Sequence, residues 1–305
     1  MQQNEALPSK KHLPFGGAKS INDKTVLDFL NEIKFNNIFE NILTNDITKL
    51  FLQNYFTWIQ KSEKNKFIGL DSFNYKVFSN GTTESFDKWY IRHRNRRLRI
   101  FKGEYMYHYA CFRNLNYNFA WLDNEPLDEN DHIIISFPFA DSGGLHQKMN
   151  EILDNAYKLK IPVLIDAAYL GTTNNLSFDF SHKAIDTVVT SLSKTFPVSY
   201  SRIGMRLCRN DIDDGLDIYR KTFYDNRFGA FIGNELISNF DIDYIPNNYF
   251  EKQKKVCQSM NLELSNSVLF GLGNSDYDEY SRAGIFNRLF LGNFYEKFGM
   301  ETRKN

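Results

Sequence analysis

The stretch from 131 to 192 constrains the fold more than any other. Two short apolar runs, DHIIIS at 131–136 and PVLIDA at 162–167, flank a segment in which Met149, Ile152, Leu153, Ala156 and Tyr157 recur on one helical face. Parallel strands cannot be joined by a tight turn, so strand, helix and strand in this order form a βαβ unit. A further apolar run, Ile185 to Ser191, supplies the next strand. Alternation of this kind predicts an α/β fold, a mainly parallel sheet covered by helices. Ligands of such sheets bind beyond the carboxyl ends of the strands, which directs attention to the residues that end these runs.

With 305 residues, 42% of them hydrophobic, the chain has material for a large domain and a smaller one. Residues 1–20 are polar, carry Pro8, Pro14, Gly16 and Gly17, and read as an extended arm able to dock on a partner subunit. From 22 to 64 helical spacing returns, with Val26, Phe29 and Leu30 and then Leu50, Phe51, Tyr55 and Trp58. Near the C-terminus, apolar runs at Leu262 to Leu272 and Phe286 to Phe290 flank the turn-rich GLGNSDYDEYSRAG, which predicts a small α+β domain. The expected division is 1–65 for arm and helices, contributing partly to the small domain, 66–235 for the large domain, and 236–305 for the small one.

Basic and acidic residues balance at 37 each, so no global field draws the chain to nucleic acid or a membrane. Cys111, Cys208 and Cys257 form no CxxC pair and fit a reducing compartment. The start of the chain lacks the basic and apolar pattern of a signal peptide, and no run of about 18 apolar residues occurs, so a soluble cytoplasmic protein without membrane contact is expected. The six histidines show no HExxH or similar spacing, and no metal site is expected.

Two strand ends carry the chemistry. Asp166 closes the run Val163 to Ile165, with Tyr169 three residues on; a carboxylate there is costly to bury unless a cation or strong donor meets it. Lys194 follows the run that ends at Ser191, with Ser193 beside it and Arg202 eight residues beyond. Alone, the aspartate reads as a cap or turn and the lysine as a solvated side chain. Together they match the needs of pyridoxal 5′-phosphate: an amine for its aldehyde, an acid for its pyridine nitrogen, a donor for its phenolic oxygen, and a cradle for its phosphate. Lys194 supplies the amine, Asp166 the acid and Tyr169 the donor, while Ser191, Ser193 and Arg202 suit the phosphate.

These motifs, Asp166-Ala167-Ala168-Tyr169, Ser191-Leu192-Ser193-Lys194 and Arg202-Ile203-Gly204, resemble the signature of the class I and II aminotransferases, of the aspartate aminotransferase-like fold type I. The resemblance implies a pyridoxal-phosphate-binding large domain, with Lys194 as the Schiff-base lysine. FSNGTTESFDKWYI resembles the family's turn into a helix whose first N–H groups hold the phosphate, which implies Gly81, Thr82 and Thr83 as contacts and Phe86, Trp89 and Tyr90 as the helix's buried face. As an unrelated helix, the same residues are an ordinary capped start. FKGEYMYHYA resembles the strand and loop that lay an aromatic ring on the cofactor; Tyr105 is the first choice and Tyr107 the second. FNRLFLGNFYEKFG resembles the late segment that presents a substrate-carboxylate arginine, here Arg288, whose alternative is a surface ion pair.

The pattern also breaks. Relatives carry an Asn in an N-P-x-G turn, whereas ISFPFADSGG has Ala140 or a neighbour there, with Gly143 as the turn glycine and Asp141 or Ser142 as substitutes. The chain is shorter than most relatives, mainly after Arg202, which implies a reduced small domain. RHRNRRLR at 92–99 holds five arginines and reads as a solvated end of the helix that begins at Gly81, or as a landing site for a phosphate-rich partner.

The resemblance thus implies an aminotransferase moving an amino group between its small-molecule partners, an amino acid or amine as donor and a keto acid as acceptor, in a homodimer whose subunits complete each other's site. One alternative is a lyase, decarboxylase or racemase using the same cofactor. Another is a catalytically idle protein of the same fold that binds a partner through Arg92 to Arg99.

Overall fold

The computed structural model describes residues 17–34, 38–43, 46–114, 117–282 and 284–295. Of the expected arm, residues 1–16 lie outside the described residues, and 17–20 form neither helix nor strand. A seven-stranded sheet runs in the order Tyr75–Ser79, Gly204–Cys208, Ile185–Ser191, Val163–Asp166, Asp131–Ser136, Arg97–Ile100, Phe119–Trp121. Only Gly204–Cys208 is antiparallel to its neighbours; every other pairing is parallel. The α/β fold expected from the alternating pattern is therefore the one found. Strands Asp131–Ser136 and Val163–Asp166 are buried along their whole length, as a strand covered on both faces must be, which explains why their sequences are continuous apolar runs.

The crossover helix is Met149–Lys158, with Met149, Ile152, Leu153 and Ala156 buried. Tyr157, expected on the same face, is instead exposed, at the flank of the stripe, and meets His182 edge-on at the surface. The expected N-terminal helices are present as Lys24–Glu32, Ile38–Leu43 and Asp46–Gln60. Phe51, Tyr55, Trp58 and Ile59 from the last of these enter the same hydrophobic core as the sheet, together with Ala230, Leu236 and Ile237 of helix Arg227–Asn239. That helix runs through residue 235, where a domain boundary was expected.

A second hydrophobic cluster is built on helix Tyr244–Ser259 and a three-stranded antiparallel sheet of Glu263–Leu264, Phe270–Gly273 and Asn287–Phe290. Ile21 from the N-terminal segment and Ala140 and Tyr169 from loops of the large sheet join it. The two bodies of structure therefore meet over the carboxyl ends of the central strands.

Two sequence expectations need correction. FKGEYMYHYA was expected as strand and loop, but helix Met106–Asn114 begins within it, so Tyr105 precedes a helix and Tyr107 lies in its first turn. The arginine cluster divides: Arg92 and Arg94 are exposed at the helix end, as expected, whereas Arg97 and Arg99 lie in a sheet strand, and Arg99 is fully buried against Asp131. Strand alternation turned Arg99 inward, where four backbone carbonyls and one carboxylate satisfy its donors. Arg92 ends the helix Gly81–Arg92 and pairs with Asp186 at 2.9 Å.

Candidate active site

Register brings the candidate residues to one edge of the sheet. Ser136, Asp166 and Val189 are paired in a row across three parallel strands, and Ser191, Gly204 and Ser79 form the next row. Asp166 is the last residue of its strand and is buried. Burial pushes its carboxyl up to about 7, opposed by the N–H of Ala168 at 3.2 Å and by the charge of Lys194. Lys194 lies in the turn that follows Ser191, and its Nζ donates to the carbonyl of Ala18 at 2.8 Å. The aspartate and the lysine, 28 residues apart in sequence, thus share one electrostatic neighbourhood.

Beside them, helix Gly81–Arg92 points its N-terminus at the same edge. No side chain caps it, and Gly81 sits at φ +75°, a conformation that favours glycine. Phe86, Trp89 and Tyr90 form its buried face, as expected. Arg202 crosses this N-terminus: its Nη2 donates to the carbonyl of Asn80 at 3.1 Å and to Thr83 Oγ1 at 2.9 Å, and its Nη1 to the carbonyl of Ser199 at 3.1 Å. A β-carbon on Gly204 would come within 2.9 Å of the Cα of Gly81, so this strand can lie against the helix start only with glycine there. Ser191 Oγ lies 2.8 Å from Ser193 Oγ and donates to the carbonyl of Ile203 at 3.0 Å. Thr82 is buried at the same end.

Tyr169 is buried edge-on to Phe270, with ring centroids 5.5 Å apart, and hydrogen-bonds with Arg288. Arg288 is buried rather than in a surface ion pair; it lies 4.2 Å over the Phe270 ring and donates to the carbonyl of Ala140. Burial lowers its guanidinium to about 9, and the charge of Arg282 adds to the effect. Tyr105 and Tyr107 stack on each other, 6.0 Å between centroids and 16° between planes. They face different surroundings. Burial raises the Tyr105 phenol, and Tyr169, Asp166, Arg202 and Arg282 all act on it, whereas the Tyr107 hydroxyl donates to Asp87 at 2.7 Å.

Three residues of this region escaped the sequence reading. Glu104 is buried, with Oε1 accepting from Ser136 N at 2.8 Å and Oε2 from Ser136 Oγ at 2.6 Å. Burial raises its carboxyl to about 8, and nearby Asp166 adds to the rise. His108 is fully buried, with Nδ1 2.5 Å from Tyr90 Oη and no hydrogen-bond partner for Nε2 among the described residues. Burial lowers it to about 3, so the ring is neutral. Arg282 is buried and donates to the carbonyls of Ala140 and Glu104, both at 3.2 Å. Glu104 and His108 flank Tyr105 in the very segment misread as a strand, where helical periodicity was the available signal.

These residues fit pyridoxal phosphate. An uncapped helix start, a glycine that leaves its backbone open and a guanidinium across it suit a phosphate. A buried carboxyl that accepts one long hydrogen bond, from Ala168 N at 3.2 Å, suits a protonated ring nitrogen. Ala140 offers no polar side chain, Asp141 Oδ2 accepts from the N–H groups of Ile285 and Phe286 at 2.8 and 2.9 Å, and Ser142 Oγ accepts from Gly144 N.

Fold and cofactor together define a pyridoxal-phosphate-dependent enzyme of fold type I. Residues 98–266, over half of the chain, match the family described as aminotransferase class I and II, and the chain belongs to that family. No curated protein matches it by sequence. Among solved structures it is similar to the histidinol-phosphate aminotransferase of Clostridium acetobutylicum, at 17% identity and TM-score 0.61 over 94% of this chain and 98% of that one. It is also similar to the PLP-bound C-S lyase of Staphylococcus hominis, at 9% identity and TM-score 0.63, covering 98% and 94%. The tyrosine aminotransferase of Leishmania infantum aligns at 10% identity and TM-score 0.59, covering 93% and 90%. At these identities the likeness concerns the fold. Among the described residues no helix is long and apolar enough to cross a membrane, and no group of three or more His, Cys, Asp or Glu side chains is placed to hold a metal.

Proposed function

We propose that the chain moves an amino group between an amino acid or amine and a keto acid, with Lys194 as the covalent anchor of the cofactor through a Schiff base. The observation that carries this reading is the placement of Asp166, Lys194, Arg202 and the Gly81 helix start at one sheet edge. Pyridoxal phosphate supplies an aldehyde that takes up the amino group and a ring that withdraws electrons from the substrate carbon. Asp166 holds the proton on the ring nitrogen. Tyr169 donates to the phenolic oxygen, and Tyr105 covers a ring face. Arg202, Ser191, Ser193, Thr82, Thr83 and the Gly81 backbone bind the phosphate. Lys194 would also carry a proton to and from the substrate carbon. Arg288 binds the substrate's carboxylate, which its burial beside Tyr169 and Ala140 supports.

The same reading includes a homodimer in the cytoplasm and a two-domain chain, with the second hydrophobic cluster as the core of the small domain. The test is a half-reaction. Cofactor-loaded protein is mixed with single amino acids, and the visible absorbance of the cofactor is followed. Transfer predicts a loss of absorbance that only a keto acid restores. Turnover without any keto acid, with release of carbon dioxide or a leaving group, contradicts it and favours the lyase chemistry.

A further inference from the structure

Glu104 is a buried carboxyl that the proposed function leaves without a role. It is 1% exposed and stands two residues before helix Met106–Asn114. Both of its oxygens are turned to one partner: Oε1 accepts from Ser136 N at 2.8 Å and Oε2 from Ser136 Oγ at 2.6 Å. Ser136 Oγ accepts in turn from Ala140 N at 2.8 Å, so its one hydroxyl proton is directed to Glu104. Ser136 is paired with Asp166 across neighbouring parallel strands, which lie about 4.8 Å apart. Glu104 is therefore fixed one strand away from the carboxyl proposed for the ring nitrogen.

Carboxyls that share a buried neighbourhood do not ionise independently. Burial holds Asp166 at about 7 and Glu104 at about 8, so Asp166 loses its proton first and its charge then opposes that of Glu104. The other groups around Glu104 leave this order in place. Tyr105 and Tyr109 of its own segment are kept neutral by burial, and so is His108. Asp141 is turned to the N–H groups of Ile285 and Phe286. The charge of Arg282 favours an ionised Glu104, but its guanidinium donates to the backbone carbonyls of Ala140 and Glu104, and burial outweighs its pull.

We propose that Glu104 is a positioning residue that acts on the cofactor through Asp166: as a neutral carboxyl bound to Ser136 it leaves Asp166 the sole negative charge facing the ring nitrogen, and on ionising it tightens the hold on the ring proton. The inference rests on the reading of Asp166 as the ring-nitrogen partner and deepens it, because the electron demand of the ring then depends on a second, more basic carboxyl. Ser136 is the means of this control. Its N–H and hydroxyl stabilise ionised Glu104, which keeps the change of charge within reach of ordinary pH rather than far above it.

The test follows the visible absorbance of the cofactor-loaded protein between about pH 6 and 10 in wild type, Glu104→Gln and Ser136→Ala. Wild type is expected to show a transition near pH 8 that Glu104→Gln lacks. Ser136→Ala removes a donor to the carboxylate while keeping the carboxyl, so its transition is expected to move up by about half a pH unit or more. Coincident profiles in wild type and Glu104→Gln overturn the proposal. So does an identical change in both variants, which would make Glu104 only a pin for the strand end. Infrared spectra of the cofactor-free protein at pH 7 supply a second readout that needs no folded variant of altered stability to be loaded: a protonated-carboxyl band that Glu104→Gln loses is expected, and its absence contradicts the neutral state. Borohydride labelling of Lys194 is measured on the loaded samples. If wild type does not load, the cofactor reading is wrong and this inference falls with it; if loading is normal and the profiles coincide, only this inference falls.

Discussion

The guanidinium of Arg202 fills the space that a β-carbon on Gly81 would occupy. Strand Gly204–Cys208 begins two residues after this arginine, and Gly204 itself lies against the Cα of Gly81. The contact locks the helix N-terminus to the sheet edge.

Gly81→Ala tests that lock. A non-glycine residue at φ +75° is strained, and the added carbon displaces Arg202, so a loss of about 1–3 kcal/mol in stability is expected. The affinity for free pyridoxal phosphate should fall at least tenfold, and inorganic phosphate should compete less well. An alanine variant with unchanged cofactor affinity would remove this helix start from the phosphate site.

The strongly raised carboxyls of Asp166 and Glu104 predict a pH dependence for the cofactor-free protein. Unfolded, Asp166 and Glu104 titrate near pH 4. Folded, they titrate at about 7 and about 8. The folded state therefore binds more protons, and the stability these groups contribute is full below about pH 4 and is lost as pH rises through 7 and 8. His93, His108, His132 and His146 work in the opposite sense: burial lowers them, and their contribution grows with pH until about 6.5 and then levels off. Urea unfolding of wild type and variants between about pH 6.5 and 8.5 separates the carboxyls from the other groups, because each variant removes one of them alone. Wild type should lose stability across that window, and Asp166→Asn and Glu104→Gln should each flatten the slope. A flat wild-type profile contradicts the assignment.

The arginine cluster predicts a stability defect. Arg99→Met leaves Asp131 buried without its partner at 2.5 Å, for which about 3–5 kcal/mol is expected. Arg97 also reaches Asp131, at 2.7 Å, and reduces the loss toward the lower figure. Thermal melts of Arg99→Met and of the exposed Arg94→Gln separate the two kinds of arginine, since the second should melt with the wild type. Equal melting of both variants would mean that the buried pair contributes nothing.

Much of the site was readable because its chemistry sits at strand ends. Asp166 and Lys194 follow apolar runs, and parallel strands share their carboxyl edge, so linear order alone carries them together. Arg202 was readable from its spacing to Lys194, and Gly81 from the turn before an amphipathic helix. Glu104 and His108 were not, because the segment around Tyr105 is apolar at both helical and strand spacing, and a strand reading hides the inward side of a helix. Arg99 shows the same weakness in reverse: five arginines in eight positions read as surface, although one of them alternates into the sheet interior. Arg282 has no local signal at all. Its hydrogen bond to the Ala140 carbonyl spans 142 residues of sequence, and only the folded chain joins the two.

The most direct test of the account is the identity of the anchoring lysine. Purified protein is incubated with pyridoxal phosphate, reduced with borohydride and digested, and the modified peptide is sequenced by mass spectrometry. The account predicts one pyridoxyl group, on Lys194, and none in Lys194→Ala after the same treatment. A label on any other lysine, or no label on the wild-type protein, would contradict it.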